Sequence, residues 1–129
     1  MGMTLFDTDV VIWMMRGNRV AAAAINSAPS RALSAVSYME YLHGARNAQE
    51  VHVFKKSLDL LQFRILPMTE SISEKAVALM EEHALSVRLD PQDALIFATA
   101  LDYDITLCSG NEKHFRPIRG LRSRVFRPK

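Results

Sequence analysis

The sequence has one cysteine and no short-spaced group of soft metal-binding side chains. Cys108 has no partner for an internal disulfide, which agrees with a reducing compartment. The histidines at positions 43, 52, 83 and 114 lie far apart, and no His-Glu-x-x-His or Cys-x-x-Cys motif occurs. These absences exclude a disulfide-stapled fold and argue against a zinc site.

Long apolar runs and phosphate-binding glycine motifs are also missing. No stretch approaches the roughly 20 apolar residues that a membrane helix needs, and the N-terminus lacks the sections of a secretory signal. No glycine-rich loop ends in Lys-Ser/Thr, and no glycine fingerprint follows a strand, so nucleotide-driven chemistry has no support. We therefore predict a cytoplasmic protein without a membrane span.

The composition is that of a globular domain with a basic end. The chain has 129 residues, 49% of them hydrophobic and 23% charged, which predicts one domain over residues 1–129. The net charge is only +2, yet residues 113–129 contain five arginines, two lysines and no acid. This stretch either binds an anionic partner such as nucleic acid or is a solvated tail, and the sequence favours neither interpretation.

Short apolar runs alternate with longer helical patterns along the chain, which is typical of βαβ units and a parallel sheet. After a first strand ending at Phe6, we predict strands over residues 31–36, 63–66 and 105–108, with a fifth at an edge over residues 124–126. Helices are predicted over residues 10–16, 37–46 and 50–62, then after Thr69 and after Asp90. The predicted class is α/β, with a mostly parallel sheet of four or five strands.

Polar residues follow the strands where ligands collect in such sheets, beyond the carboxyl ends. The first strand runs into Asp7, the second leads through a helical turn to Glu40, and the fourth leads to Asn111. Asp93 stands in the first turn of the helix that enters the fourth strand. We predict that these four segments converge on one pocket.

Helix capping offers a structural alternative for most of the acids. Asp9 suits the N-cap of a helix starting at Val10, and Ser37 with Glu40 has the spacing of a capping box. Asp90 followed by Pro91 would cap the next helix, with an acid in its first turn. Capping leaves Asp7 unexplained.

Asp93 fits a capping interpretation less well, because it lies on an apolar helix face with Ile96, Phe97 and Ala100. Burial of an unpaired carboxylate costs several kcal/mol or raises its pKa until it is neutral. A bound cation would remove this cost. Mg²⁺ and Mn²⁺ take hard oxygen ligands, which matches a set of Asp and Glu without clustered His or Cys.

Four sequence blocks stand out along the chain: FDTDV at 6–10, SAVSYMEYLHGA at 34–45, DALIFATA at 93–100 and SGNEKHF at 109–115. In this order they resemble PIN-domain ribonucleases and, more narrowly, the VapC toxins of bacterial toxin–antitoxin pairs. The resemblance covers nearly the whole chain. It implies a three-layer α/β/α fold and a metal-dependent endoribonuclease with an acidic pocket for Mg²⁺ or Mn²⁺. It also implies a homodimer and an antitoxin partner whose C-terminal segment blocks the pocket, in a heterotetramer or larger assembly.

The resemblance assigns roles to individual residues by position. Asp7, Glu40 and Asp93 match the three principal acids of the family and would hold the metal as catalytic residues. Asn111 falls where the family often has Asp and sometimes Asn, and would contact the phosphate or position a ligand. Thr8 matches a hydroxyl residue that holds water or substrate phosphate. The neutral Asn111 leaves sites with one ion and with two ions equally open.

Two competing functions remain open at this point. Asp7-Thr8-Asp9-Val10 after a strand also resembles the start of haloacid-dehalogenase-type phosphatases, with Asp7 as nucleophile and Asp9 as acid–base. Against this, the sequence continues directly into a helix and has no convincing later lysine and paired-acid motif. The other alternative is a non-catalytic module that binds RNA or protein, in which the acids only cap helices.

Overall fold

A computed structural model of the chain describes residues 2–129, which form a five-stranded parallel sheet flanked by helices. The strand order is β3-β2-β1-β4-β5, and every neighbouring pair is parallel. The chain fills the β2 side of β1 first and then crosses to the β4 side, so the order reverses beside β1. The strands are β1 (Met3–Phe6), β2 (Ser30–Ser34), β3 (Phe63–Leu66), β4 (Thr106–Ser109) and β5 (Ser123–Val125).

Seven helices connect or follow the strands in the described part of the chain. They confirm the predicted α/β class, and the short β5 confirms the edge strand. No helix within residues 2–129 has both the length and the apolar character needed to cross a membrane. The helices are α1 (Thr8–Met15), α2 (Arg19–Ser27), α3 (Ala35–Gly44), α4 (Ala48–Leu60), α5 (Glu70–Val87), α6 (Pro91–Tyr103) and α7 (Glu112–Phe115).

The three layers follow from the alternation of side chains along the strands. Leu5 in β1 belongs to a buried cluster that also contains Ile72 of α5 and Phe97 of α6. The next residue, Phe6, belongs to a second cluster on the other face, with side chains of α1, α2 and α4 such as Phe54. Successive residues of a strand point to opposite faces, so each strand supplies both cores. The predicted α/β/α arrangement is confirmed.

Two helix starts differ from the predictions, and both lie at the carboxyl end of the sheet. Asp7, rather than Asp9, is the N-cap of α1, and its carboxylate accepts from Thr8 N at 2.7 Å. Ser34, rather than Ser37, caps α3 and accepts from Val36 N at 3.0 Å, so the predicted capping box of Ser37 and Glu40 is wrong. In both places the helix follows the strand without a loop. The cap is therefore the residue directly after β1, Asp7, and the last residue of β2, Ser34.

The two other predicted caps are confirmed. Thr69 accepts from Ile72 N at 3.2 Å at the start of α5. Asp90 accepts from Asp93 N at 2.9 Å at the start of α6, and Pro91 is the first helical residue. Proline suits this position because its missing N–H would have no partner within the helix. The cap therefore fixes the position of Asp93 in the first turn of α6.

Arg31 of β2 ties two helix ends to the sheet. Its guanidinium donates to Ile25 O at 2.6 Å and Asn26 O at 3.2 Å near the end of α2. It also donates to Leu61 O at 2.9 Å, directly after α4. Carbonyl groups at helix C-termini lack intrahelical donors and carry partial negative charge, so one cation serves both helices.

We expect Arg31→Ala to lower the free energy of unfolding by about 2–3 kcal/mol, because three carbonyl groups lose a charged donor. Arg31→Lys should recover only part of the loss, since an ammonium cannot reproduce the planar fork. Denaturant unfolding followed by circular dichroism measures both. Lys56→Ala, at an exposed position of α4, is the control and should change stability by about 0.5 kcal/mol or less. Equal effects of Arg31→Ala and Lys56→Ala would contradict this role.

Candidate active site

A cavity of about 450 Å³ opens at the carboxyl ends of β1 and β4, beside the reversal of strand order. It contains all four residues predicted as catalytic, together with Thr8. Two other cavities, of about 540 and 680 Å³, are each lined by at most two carboxylates, and the second shares Ile12 and Glu40 with the acidic cavity. The convergence of acids, and not the volume, therefore identifies the site. Its lining residues are Asp7, Thr8, Asp9, Ile12, Glu40, Asp93, Gly110 and Asn111.

Asp7 is the most deeply buried acid of the site, with 6% of its surface exposed. One carboxylate oxygen accepts from Thr8 N, and the other accepts from Ser109 Oγ at 2.6 Å. The pKa of Asp7 is raised to about 7, mainly by burial and then by the neighbouring negative charge of Asp9. The two hydrogen bonds oppose this rise. The ionised form is thus held at a cost that a cation would offset.

A hydroxyl pair connects α1 with α3 at the cavity. Thr8 Oγ1 donates to Glu40 Oε1 at 2.5 Å, and Thr8 Oγ1 and Ser37 Oγ lie 2.8 Å apart. A hydroxyl has one proton, so the Ser37 hydroxyl donates to Thr8 when Thr8 donates to Glu40. Ser37 thus orients the site from within α3, a role that its predicted place as a helix cap had hidden.

Asp93 is held by two side chains from the segment that follows β4. Asn111 Nδ2 donates to Asp93 Oδ2 at 2.7 Å, and His114 Nδ1 lies 3.1 Å from the same oxygen. Burial raises the pKa of Asp93, and the hydrogen bond with His114 opposes this. His114 lies in the short helix α7. Its spacing of three residues from Asn111, about one helical turn, was the available signal.

Asp9 enters the site instead of capping α1. Its Oδ2 accepts from Gly110 N at 3.0 Å, while its Oδ1 is buried and has no hydrogen-bond partner. A Cβ atom at Gly110 would lie 2.6 Å from Asp9 Oδ2 and 3.2 Å from Phe126 O, so a larger residue here would displace the Asp9 carboxylate. Burial raises the pKa of Asp9, so its charge too lacks full compensation.

The residues present fit a hard divalent cation. Four carboxylates and no lysine or arginine line the cavity, and the buried Oδ1 atom of Asp9 accepts no hydrogen bond. Oxygen ligands of this kind are those that Mg²⁺ and Mn²⁺ select. Within residues 2–129, no three Asp, Glu, His or Cys side chains already form a ligand set. Glu40 contacts Thr8 through Oε1, and Asp93 contacts Asn111 and His114 through Oδ2, so each carboxylate keeps a second oxygen for a cation.

The fold and the site together define an α/β/α protein with an acidic, oxygen-donor pocket at the reversal of its sheet. The PIN domain model matches residues 4–120, and the chain belongs to the PIN domain family. PIN domains are generally nucleases, which use divalent metal ions. This confirms the predicted family.

Solved structures similar to the chain include a toxin-antitoxin complex. A toxin-antitoxin complex from Klebsiella pneumoniae contains a chain with 32% identity and a TM-score of 0.75, with 98% of each chain covered. A DNA-bound VapBC from Salmonella typhimurium gives a TM-score of 0.83 at 17% identity, covering 97% of this chain and 98% of that one. FitAcB from Neisseria gonorrhoeae gives 0.74 at 23% identity, with 97% of both covered. The last two show a shared fold. No curated protein matches the chain.

We expect Asp7→Asn to stabilise the metal-free protein above pH 7, where the buried Asp7 is ionised. The raised pKa of Asp7 makes native stability fall as the pH rises from about 4 to about 7, because the unfolded carboxyl ionises first. The gain in free energy of unfolding should be on the order of 1–4 kcal/mol at pH 8 and should shrink at pH 5. Urea unfolding in a chelator at both pH values measures it.

The control for this experiment is Asp102→Asn, because Ser71 and Lys75 lower the pKa of that partly exposed acid. Neutralising Asp102 should give no stabilisation at pH 8. A gain for Asp7→Asn that is the same at pH 5 and pH 8 would show that the buried charge is not its cause.

Proposed function

We propose that the chain is a metal-dependent endoribonuclease and the toxin of a type II toxin–antitoxin pair. The observation that carries the proposal is the convergence of Asp7, Asp9, Glu40 and Asp93 on one cavity without a basic side chain. Membership of the PIN domain family and the similarity to a chain of a toxin-antitoxin complex support the same activity. We further propose that residues 1–129 act as a single nuclease domain.

Asp7, Glu40 and Asp93 would hold Mg²⁺ or Mn²⁺, as the resemblance implies. Asp9 adds a fourth carboxylate to this set, which makes up for the neutral Asn111. When bound, the cation supplies Lewis-acid stabilisation of the negative charge that develops on the phosphate. Asp9 and Asn111 are joined through Gly110, whose amide holds the Asp9 carboxylate.

The side chains around the cavity divide the remaining work of hydrolysis. Glu40, oriented by Thr8, accepts the proton of the attacking water as the water oxygen bonds to phosphorus. The bond from phosphorus to the leaving oxygen breaks, and that oxygen takes a proton from solvent water. Ser109 and the amide of Thr8 hold Asp7 in one rotamer. Asn111 orients Asp93 and presents an amide donor to the substrate phosphate. Such preorganisation lets the site act without reorganising during the reaction.

The partners belong to the same proposal. Of the similar solved structures named above, the one from Klebsiella pneumoniae is a toxin-antitoxin complex, and the VapBC from Salmonella typhimurium is bound to DNA. By this likeness, the chain forms a homodimer whose antitoxin closes the acidic pocket, in a heterotetramer or a larger assembly. Its place of action would be the cytoplasm, where its RNA substrate lies.

The test of the nuclease is cleavage of mixed cellular RNA by the purified protein with Mg²⁺, Mn²⁺ or a chelator. We expect metal-dependent cutting that Asp7→Asn and Asp93→Asn each reduce by about 100-fold or more, because each removes a carboxylate that would hold the cation. Asp59→Asn on α4 is the matched control and should cut normally. Cutting that persists in either site variant would overturn the residue assignment.

The alternatives make different predictions in the same preparation. A haloacid-dehalogenase-type phosphatase would carry an aspartyl phosphate, an acyl phosphate, on Asp7 after reaction with a phosphorylated substrate, which mass spectrometry detects. A non-catalytic module would bind no metal and would be indifferent to Asp7→Asn. Finding either result without RNA cutting would replace the nuclease proposal.

The contribution of Asp9 has a separate test that does not depend on activity. Asp9→Asn keeps an oxygen to accept from Gly110 N but removes one negative charge, so Mn²⁺ affinity measured by titration calorimetry should fall about tenfold. Asp59→Asn again serves as control. An unchanged affinity for Mn²⁺ would exclude Asp9 from the set that holds the metal.

A further inference from the structure

A positively charged surface adjoins the acidic pocket. A second cavity, of about 410 Å³, is lined by Gly110, Asn111 and Glu112 together with three cations, Lys113, Arg116 and Arg127. We call these three cations the basic shelf. They come from α7, from the residue directly after it, and from the end of the chain. The shelf is thus assembled by tertiary structure from two separate segments.

The shelf retains positive charge after its internal ion pairs are counted. Glu112 pairs with both Arg116 and Arg127, so one carboxylate faces two guanidinium groups. Lys113 is exposed and forms no ion pair within residues 2–129. Three cations against one anion leave a formal charge of +2 on this surface. Glu112 therefore organises the two arginines without neutralising the shelf.

Arg127 is held rigidly in this arrangement. Its Nη1 donates to Gly110 O at 3.1 Å and to Phe126 O at 3.0 Å, and its Nη2 donates to Glu112 Oε1 at 2.9 Å. A guanidinium that is already oriented loses little side-chain entropy when an anion binds beside it. The shelf thus has the preorganisation of a binding surface rather than the freedom of a solvated tail.

Gly110 and Asn111 line both the acidic cavity and the shelf. Gly110 has no side chain, and Asp9 Oδ2 and Phe126 O lie close to where a Cβ atom would be. Only the backbone of Gly110 therefore borders the two cavities at this position. A linear polyanion can therefore lie across Gly110, with one phosphate at the acids and a neighbouring phosphate at the cations.

The acidic cavity creates the need for such a surface. Its four carboxylates repel a phosphodiester, and a metal that offsets this repulsion at one phosphate does nothing for the rest of the strand. Cations placed beside the cavity bind the flanking backbone and hold it in register, independently of base sequence.

We propose that the basic shelf binds the backbone phosphate of single-stranded RNA next to the phosphate that is cut. This inference rests on the proposed nuclease function and adds a substrate subsite to it. Lys113 and Arg116, which are exposed, contact the phosphate. Arg127 donates to Gly110 O and adds positive charge to the same surface. It also assigns a role to the basic C-terminal stretch, for which the sequence favoured neither of two interpretations.

The test measures binding of a fluorescently labelled single-stranded RNA in a chelator, so that binding is separated from cutting. The variant Lys113→Gln/Arg116→Gln leaves the hydrogen bonds of Arg127 intact. We expect its affinity to fall about fivefold or more near 0.1 M salt, and the slope of log affinity against log salt to decrease by about 1.4. With Mg²⁺ or Mn²⁺ present, KM for RNA should rise while kcat stays near that of the unaltered protein.

The control is Lys56→Gln on α4, which packs beside β3 at the opposite edge of the sheet. It removes an exposed lysine without touching the shelf. RNA affinity and salt slope equal to those of Lys56→Gln would overturn the proposal, as would weakened antitoxin binding with unchanged RNA binding. If the unaltered protein bound RNA through the shelf but cut none, the nuclease proposal would fail instead.

Discussion

Burial of the Asp7 carboxylate among other acids is the constraint on which the site depends. Asp7 caps α1 and accepts from Ser109, so the same side chain ends β1, starts a helix and joins β4. Its pKa near 7 reflects the cost of holding charge there, mostly through burial and then through Asp9. The surrounding hydrogen bonds reduce this cost only partly, which is why the arrangement is complementary to a divalent cation.

The reversal of strand order brings opposite charges side by side. β4 leads into the segment from Ser109 to Glu112, which borders the acidic cavity. The C-terminal segment after β5 adds Arg127, which donates to Gly110 O and Glu112 Oε1. One backbone position, Gly110, borders both surfaces. Carboxylates in one cavity suit a cation, and the basic side chains in the adjoining cavity suit a phosphate. Together they suit a polyanion, which the acids alone would repel.

Sequence patterns predicted the class, the strands and the convergence of Asp7, Glu40, Asp93 and Asn111, and they erred on local detail. Ser34 and Ser37, like Asp7 and Asp9, are both compatible with a capping position, because either can precede a helical run. Only the length of the preceding strand selects between them. The consequence was functional: Ser37 and Asp9 looked like caps and are instead part of the site, while Asp7 performs both tasks.

The sequence by itself determined the elements, because hydrophobic periodicity and caps act over a few residues. It also determined that Asp93 needs a partner, since its helix face is apolar. Tertiary structure alone decided which partners the acids have: Ser109 for Asp7 across 102 residues, Gly110 for Asp9 across 101, and His114 for Asp93. Such contacts depend on strand order and register, to which many sequence positions contribute and which no local spacing encodes.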